Sequence, residues 1–527
     1  MFKFLRYALL TYSLGMSGIA FGTTYYVAAN GVDTNSGTSK TSPWLHAPGM
    51  TGCTGVCAST TPHPGDSIIL RGGDSWHWNS AYGTVGLPWT WTWSGSGSTT
   101  PYGCTGNGCI YIGVDQTWYS GGSWTRPQLN GDNPLSTSTV SSCRYSINAT
   151  HDYLIWDEGS SYTQWDNLEM LGVCEDKTSG TPDQYFGLYG CYHTFSNIYM
   201  HGWTMASGFG DKLAGFAGPS SGSCPDGKKY PFTGNQFTYN IFDGSDSSPQ
   251  ALESYYLDCY VVDHSYMTMN AGNNCNNMHL VHDTVIEYNN EDNSNGVDHG
   301  DTWQFFGEAA SNNYFYNNVV RHSGNLAGIG INVIFEPTGG YTDYAFNNLF
   351  YDVKSGNFLS VNGQNGGNIK LINNTFQISS GTAVNCANNG CLLSQNNHYI
   401  TAAGTAGSQF NGAQTPATQI GDLVESSSTA STAGYASSNQ YAPTSSSSPT
   451  VGAGTNWGSA CSALTDSGAA AACASSTNLA CTYTLGSGVL NCPGQTTLAR
   501  TSPPDVGAYV YGASSLQPPT NLSATVR

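Results

Sequence analysis

The chain has 527 residues, of which only 9% are charged, and a formal net charge of -19. With 15 Lys plus Arg against 34 Asp plus Glu, nucleic acid and anionic membrane surfaces are repelled, which excludes them as partners and leaves a neutral polymer or an acidic one bridged by calcium. The 65 Gly, the many Asn, Ser and Tyr and the 12% of aromatic residues point to short strands and tight turns in place of helices.

In chain order, Lys3 and Arg6 precede a mostly apolar run from Tyr7 to Phe21, with Ala20 and Gly22 placed for cleavage. Residues 1–22 therefore read as a signal peptide and the mature chain as secreted, extracellular and without a membrane span. Residues 23–160, rich in Trp and Gly, are expected to form an N-terminal cap and first coils, with strands at Thr23 to Ala28 and Ser67 to Arg71. Trp89, Trp91 and Trp93 alternate at strand period, which places all three on one face.

From 161 to 403 a short pattern recurs, a polar residue followed by Asn or Asp and a strand-forming stretch. It ends at Asn167, Asn197, Asn240, Asp258, Asp283, Asn318, Asn348, Asn374 and Asn397, and from Asn240 onward the spacings are 18, 25, 35, 30, 26 and 23 residues. One coil of three short strands and three turns needs about that length, and stacked coils pair every backbone amide. Two places on lie Tyr199, Phe242, Tyr260, Val285, Val320, Phe350, Phe376 and Tyr399, the expected internal column. The fold expected is all-β, a single-stranded right-handed parallel β-helix, a solenoid with capping segments. Asn at the repeated position reads as a structural ladder, since it tolerates left-handed backbone geometry at a bend.

Residues 404–512, low in complexity and then Cys-containing, are expected to cover the last coil, because an open solenoid end exposes strand edges. The tail 513–527 resembles the opening strand of a fibronectin type III module. The sixteen cysteines suit an oxidising compartment, with local pairs at Cys53/Cys57, Cys104/Cys109, Cys386/Cys391, Cys461/Cys473 and Cys481/Cys492. Zinc is the rival reading, but no second pair sits at finger spacing.

Three segments carry a family resemblance: Tyr25-Tyr26-Val27-Ala28-Ala29-Asn30-Gly31-Val32-Asp33 through Thr38 with Pro43-Trp44, Pro64-Gly65-Asp66 through Gly73, and Pro504-Asp505-Val506-Gly507-Ala508-Tyr509. They resemble a secreted bacterial right-handed parallel β-helix family of the pectate-lyase-like superfamily. That resemblance implies the architecture and a carbohydrate partner. It is silent on reaction, because the superfamily holds hydrolases, lyases, epimerases and non-catalytic binders.

The densest ionisable run spans His279 to Gln304, in the longest of the mid-chain coils, where an inserted loop is expected. His299-Gly300-Asp301-Thr302-Trp303-Gln304 resembles a groove-face motif of parallel β-helix proteins, and its structural reading is a turn followed by a strand. Neighbouring coils offer Asp243 and Asp246, Asp263 and His264, Glu287, then Arg321 and His322. Carboxylates one or two layers apart lie ~5–10 Å from each other, the span a glycoside hydrolase needs. Asp298 and Asp301 are the leading pair, with His299 or His264 tuning the proton, and Gln304, Trp303, Trp203, Tyr255 and Tyr256 expected to meet the sugar. That reading is a monomeric glycoside hydrolase needing no cofactor. The alternative is a calcium-dependent uronate lyase, with Glu291, Asp292 and Asp298 on the metal and Arg321, His322 and Lys354 as cation and base. A non-catalytic carbohydrate binder or adhesin is the third.

Overall fold

The structure, a computed structural model, describes residues 22–98, 103–104, 106–138, 140–145, 153–175, 184–206, 214–217, 234–247, 261–263, 266–268, 280–287, 303–305, 312–322, 331–337, 339–353, 357–363, 365–411, 414–478, 482–491 and 496–512. Residues 1–21 of the expected signal peptide and the tail 513–527 lie outside them.

Among the described residues the chain is mostly β, and its large sheets are parallel. Two sheets have thirteen strands each. The first runs from Thr24–Val27 to Thr418–Ile420, and the second includes Ser75–His77 and ends at Leu423–Ser426. Two four-stranded parallel sheets form a third side, one from Trp89–Trp91 to Ala214–Ala217, the other from Trp303–Phe305 to Thr382–Ala387. Successive strands of the chain alternate between sheets, so spatial neighbours belong to successive turns of the chain.

One corner explains why this sequence folds this way. From Asp166 onward the described passages between the first and second sheets turn in two residues, as in Thr238 to Ile241, Tyr316 to Val319, Phe346 to Leu349, Ile372 to Thr375 and Gln395 to His398, whereas the earlier passage from Tyr119 to Gln128 is longer. The first corner residue has a left-handed backbone: Asn167, Asn197, Tyr239, Asp283, Asn317, Asn347, Asn373 and Asn396 all have φ between 51° and 57°. Asn and Asp adopt that geometry most readily among non-glycine residues.

The second corner residue points inward and builds the expected ladder. Asn318 Nδ2, Asn348 Nδ2 and Asn374 Nδ2 donate to Oδ1 of Asn348, Asn374 and Asn397 at 3.1, 2.9 and 2.9 Å. Each amide also donates to a first-sheet carbonyl, from Val281, Phe315 and Ala345 respectively. Asp422 closes the row by accepting from Asn397. These buried amides are satisfied, which is what makes a polar row tolerable in a core.

The internal column differs from the expected one in three coils, with Met200, Met267 and Ile286 in register where Tyr199, Tyr260 and Val285 were expected. Its registered members are Met200, Phe242, Met267, Ile286, Val320, Phe350, Phe376 and Tyr399. Tyr199 and Val285 sit one place off it, because Asn197 and Asp283 are first corner residues, equivalent to Asn317 and not to Asn318. Tyr260 and Asp258 lie outside the described residues. Stacked rings 4.9 Å apart at Phe350–Phe376 and 5.2 Å at Phe376–Tyr399 show the column's packing. Trp89 and Trp91 are fully buried against Trp165, with Trp93 partly buried beside them, as their alternation predicts.

The strands at Thr24–Val27 and Ser67–Gly72 match expectation, and the family-like segments are structural. Asp33 accepts from the backbone N–H groups of Leu45 and His46, Asp66 from those of Thr23 and His63. Trp44 stacks on Tyr25 at 4.7 Å.

The C-terminal region corrects an expectation. Helix Ser427–Thr432 does sit on the last coil, Ala430 packing on Ile400. The chain then runs back along the stack in place of ending there. Trp457, Leu464 and the helix Ser467–Cys473 cover Tyr314, Tyr344 and Phe346, while Ala508 and Tyr509 cover Val285, Val319 and Leu349. Those outward faces are apolar and would otherwise be wet. Arg500, 6% exposed, holds this strap: it donates to Ser475 O, Asp505 O, Asn347 Oδ1, Gly507 O and Ala508 O.

Four expected disulfides are present, Cys53–Cys57, Cys104–Cys109, Cys386–Cys391 and Cys461–Cys473, and Cys143–Cys174 joins them. Cys481 and Cys492 lie outside the described residues. The disulfides fit an oxidising compartment. Among the described residues no helix is long and apolar enough to cross a membrane.

A pH prediction follows from Asp343, fully buried in the first sheet, whose Oδ1 accepts from Asn313 N at 2.9 Å while Oδ2 has no partner. Burial pushes its pKa up from 3.8 to about 7, against the hydrogen bonding from Asn313. The folded state thus holds a proton the unfolded chain has lost between those values, so this group costs stability as pH rises from about 4 to 7. Asp343→Asn keeps the acceptor and removes the charge. It is expected to stabilise the protein at pH 8 by up to about 4 kcal/mol and to flatten that pH dependence. Urea midpoints at pH 5 and pH 8 test this, and parallel pH slopes in both proteins would refute it.

Candidate functional site

Four residues after each left-handed corner, the second sheet presents an outward position. In successive coils it is occupied by His201, Asp243, Thr268, Glu287, Arg321 and Tyr351, aligned strand to strand by register. Neighbouring strands are ~4.8 Å apart, so His201, Asp243, Glu287, Arg321 and Tyr351 fall along one polar column.

Its most ionisable end is centred on His201. Nδ1 lies 2.7 Å from Asp246 Oδ2 and Nε2 lies 3.2 Å from Glu169 Oε1. Glu169 also accepts from Gln128 Nε2, and Asp246 from Gly202 N. Burial alone would lower the His201 pKa, but the hydrogen bonds to Asp246 and Glu169 outweigh it and raise it to about 9. The imidazole is therefore charged at neutral pH, clamped by two carboxylates. The two carboxylates lie on opposite edges of the ring, so the imidazole fills the space between them and leaves the exposed Asp246 to meet a substrate or a water. Asp246 is the most solvent-facing member, its side chain 36% exposed against 15% for Glu169 and 9% for His201.

The strap walls one flank. Tyr483 OH and Gly486 N donate to Asp243 Oδ2 at 2.5 and 2.6 Å, and Arg126 donates to Gly488 O. Tyr199 stacks on His201 at 4.2 Å. Burial, then interactions with Asp243, push the Tyr483 phenol upward, so it stays a donor.

Further along, Arg321 Nε pairs with Glu287 Oε2 at 2.5 Å and Nη1 reaches Tyr351 OH at 3.4 Å. His322, in left-handed geometry, holds Asp352 at 2.6 Å.

The structure thus brings together Glu287, Arg321 and His322 of the expected set. Asp263 is not beside them: it pairs with Thr238 in the first sheet, before the corner and not after it. Placing the repeat at Asp258 produced that error, since the strands lie at Val261–Asp263 and Tyr266–Thr268. Trp203 is 1% exposed and part of the core, so it cannot stack on a sugar. Trp303 and Gln304 lie in a third-side strand, registered with Val333 and Ile334, which fits the strand of the turn-then-strand reading, while its turn lies outside the described residues. Tyr255, Tyr256, His264, Glu291, Asp292, Asp298, His299 and Asp301 lie outside the described residues, as does Lys354. Among the described residues no group of three or more His, Cys, Asp or Glu could hold a metal. Glu169, His201 and Tyr483 were missed. The first two occupy places two and four after Asn167 and Asn197, a signal visible only once the corners are aligned.

No family model matches the chain, and no characterised protein matches it in sequence. Among solved structures, a lacto-N-biosidase from Eubacterium ramulus aligns over 75% of this chain and 67% of its own, at 11% identity and TM-score 0.35. An alginate lyase from Paenibacillus aligns over 61% and 89%, at 13% identity and TM-score 0.29. A rhamnogalacturonan lyase aligns over 77% and 86%, at 12% identity and TM-score 0.31. Likenesses this loose decide neither fold nor chemistry, which rest on the topology and geometry above.

Proposed function

We propose that the protein is an exported, monomeric enzyme that cleaves extracellular polysaccharide by hydrolysis, on a right-handed parallel β-helix. The observation that carries this reading is the Glu169–His201–Asp246 array, two carboxylates flanking a charged imidazole on an outward sheet face. Asp246, the exposed carboxylate, activates water, while His201 and Glu169 behind it set its position and proton balance. Asp298 and Asp301 are proposed as the second carboxylate source; in the sequence they follow Glu287 and precede the strand Trp303–Phe305. Gln304, Tyr255 and Tyr256 are proposed to contact the sugar.

One observation favours a lyase as the second reading. Arg321 reaches the Tyr351 phenol with His322 one residue on, a cation beside two possible bases for proton abstraction next to a uronate carboxylate. Calcium at Glu291, Asp292 and Asp298 would belong to that reading.

The test is purified protein on a panel of neutral and uronate polysaccharides, reading reducing ends and the absorbance of unsaturated products with and without chelator. Reducing ends alone, lost in Asp246→Asn and in Asp298→Ala or Asp301→Ala, are expected. Unsaturated products abolished by chelator would replace hydrolysis with the lyase. Retention on insoluble polymer without cleavage would leave a binding protein.

A further inference from the structure

We propose that Tyr82, Tyr145 and Arg144 form a separate subsite that takes a uronate residue of an acidic polysaccharide. It rests on the reading that polysaccharide is the substrate and specifies its charge.

Tyr82 lies in the turn between the second-sheet strands Ser75–His77 and Thr84–Val85 and is 44% exposed. Tyr145 meets it edge-on, ring centroids 6.1 Å apart, and the Arg144 guanidinium lies 5.2 Å from the Tyr82 ring centre. An exposed aromatic face beside a cation is costly to keep rigid unless it is used, and here both halves are braced. The Tyr82 turn is closed by Tyr82 N to Asn79 O and Ala81 N to Asn79 Oδ1. Asn79 N in turn donates to Asp132, which is buried against His77 at 2.6 Å.

The Arg144–Tyr145 segment is fixed independently. Both backbone N–H groups donate to Asn133 Oδ1, at 2.9 and 3.0 Å, and Asn133 Nδ2 returns a bond to Tyr145 O. The neighbouring Cys143–Cys174 disulfide ties the segment to the stack. Arg144 Nη1 donates to Asp132 O, a backbone carbonyl, and among the described residues no carboxylate pairs with this guanidinium. Arg71, Lys40 and Arg321 are all engaged by Asp or Glu. In a chain of net charge -19, an uncompensated guanidinium on a braced aromatic face is where a carboxylate-bearing ring would dock: the ring's C–H face on Tyr82, its carboxylate on the Arg144 fork.

The subsite lies on the same sheet as His201. His77, which leads into the Tyr82 turn, is in register with Asn130 and Leu171, and the next strand carries His201, so His77 and His201 are three strand steps or ~14 Å apart. A polymer, not a monosaccharide, spans that distance.

The experiment is affinity electrophoresis of the full chain through gels containing polygalacturonate, alginate or methylcellulose. Retention by one of the uronate polymers is expected, weakened at least tenfold in Tyr82→Ala and Arg144→Gln and kept in Tyr82→Phe. Both residues are exposed, so unchanged melting temperatures should accompany these losses. Equal retention of all variants, or no retention of the parent protein by either uronate polymer, overturns the subsite. Cleavage assays on the same proteins separate the two ideas: cleavage with Tyr82-independent retention removes the subsite and leaves the enzyme, whereas Tyr82-dependent retention without any cleavage does the reverse.

Discussion

Arg500→Met is expected to cost roughly 3–5 kcal/mol of stability, the large end for a point substitution, because it breaks a buried hydrogen-bond network and strips its acceptors of a donor. Burial pulls the guanidinium pKa down, but the acceptor oxygens around it come from Ser475, Asn347, Asp505, Gly507 and Ala508, and they favour the charged form. Met fills similar volume, so a cavity is not the cause; the loss is of the donor shared by four strap carbonyls and the Asn347 amide oxygen, of which Ser475 O and Ala508 O keep bonds from Asn347 Nδ2 and Ser476 Oγ. Because Asn347 is a left-handed corner, one side chain joins the strap to the coil stack. Undocking should expose Tyr314, Tyr344 and Tyr509, so the variant should bind a hydrophobic dye below its melting temperature. A midpoint within about 0.5 kcal/mol of the parent protein would mean that the strap is held by apolar contacts alone.

Asp246→Asn is expected to lower kcat by about 10²- to 10⁴-fold on whichever polymer the parent protein cleaves, the range for losing a positioned acid or base. His201→Asn should act differently. With its pKa raised to about 9 by Asp246 and Glu169, His201 stays charged through neutral pH, and activity in the parent protein should fall only as pH passes about 9. Removing it should shift that alkaline limb. The same ionisation governs stability: the folded pKa lies above 6.5, so the ion-paired contribution is complete below pH 6.5 and is lost as pH rises through about 9. A purely structural His201 would lower stability and leave the shape of the pH–rate profile unchanged.

Much of this architecture is legible in residue order because Asn and Asp mark the corners. Asn317-Asn318, Asn347-Asn348, Asn373-Asn374 and Asn396-Asn397 announce both corner positions at once. Where one Asn or Asp stands alone, as at Asn197 and Asp283, residue type cannot tell the left-handed position from the ladder position beside it. That one-place slip moves a side chain to the other face of the strand, which is why Tyr199 and Val285 were expected inside. The same slip hid His201, although Asp243, Glu287 and Arg321 of its column were legible as candidates. The strap was illegible for another reason: its partners, such as Tyr483 with Asp243, are 240 residues apart and share no pattern.

The two-residue corner sets where this fold can change. Successive ladder positions are separated by 34 residues at one coil and 23 at another, yet along the amide ladder the corner keeps its two residues. Among these coils the variation in length is therefore pushed to the side where the chain passes from the second sheet through the third and back. The corner acts as a spine and the opposite side as a free margin. Lengthening, shortening or exchanging a segment on that margin leaves every rung of the amide ladder in place, so new specificity can be written there without re-solving the fold.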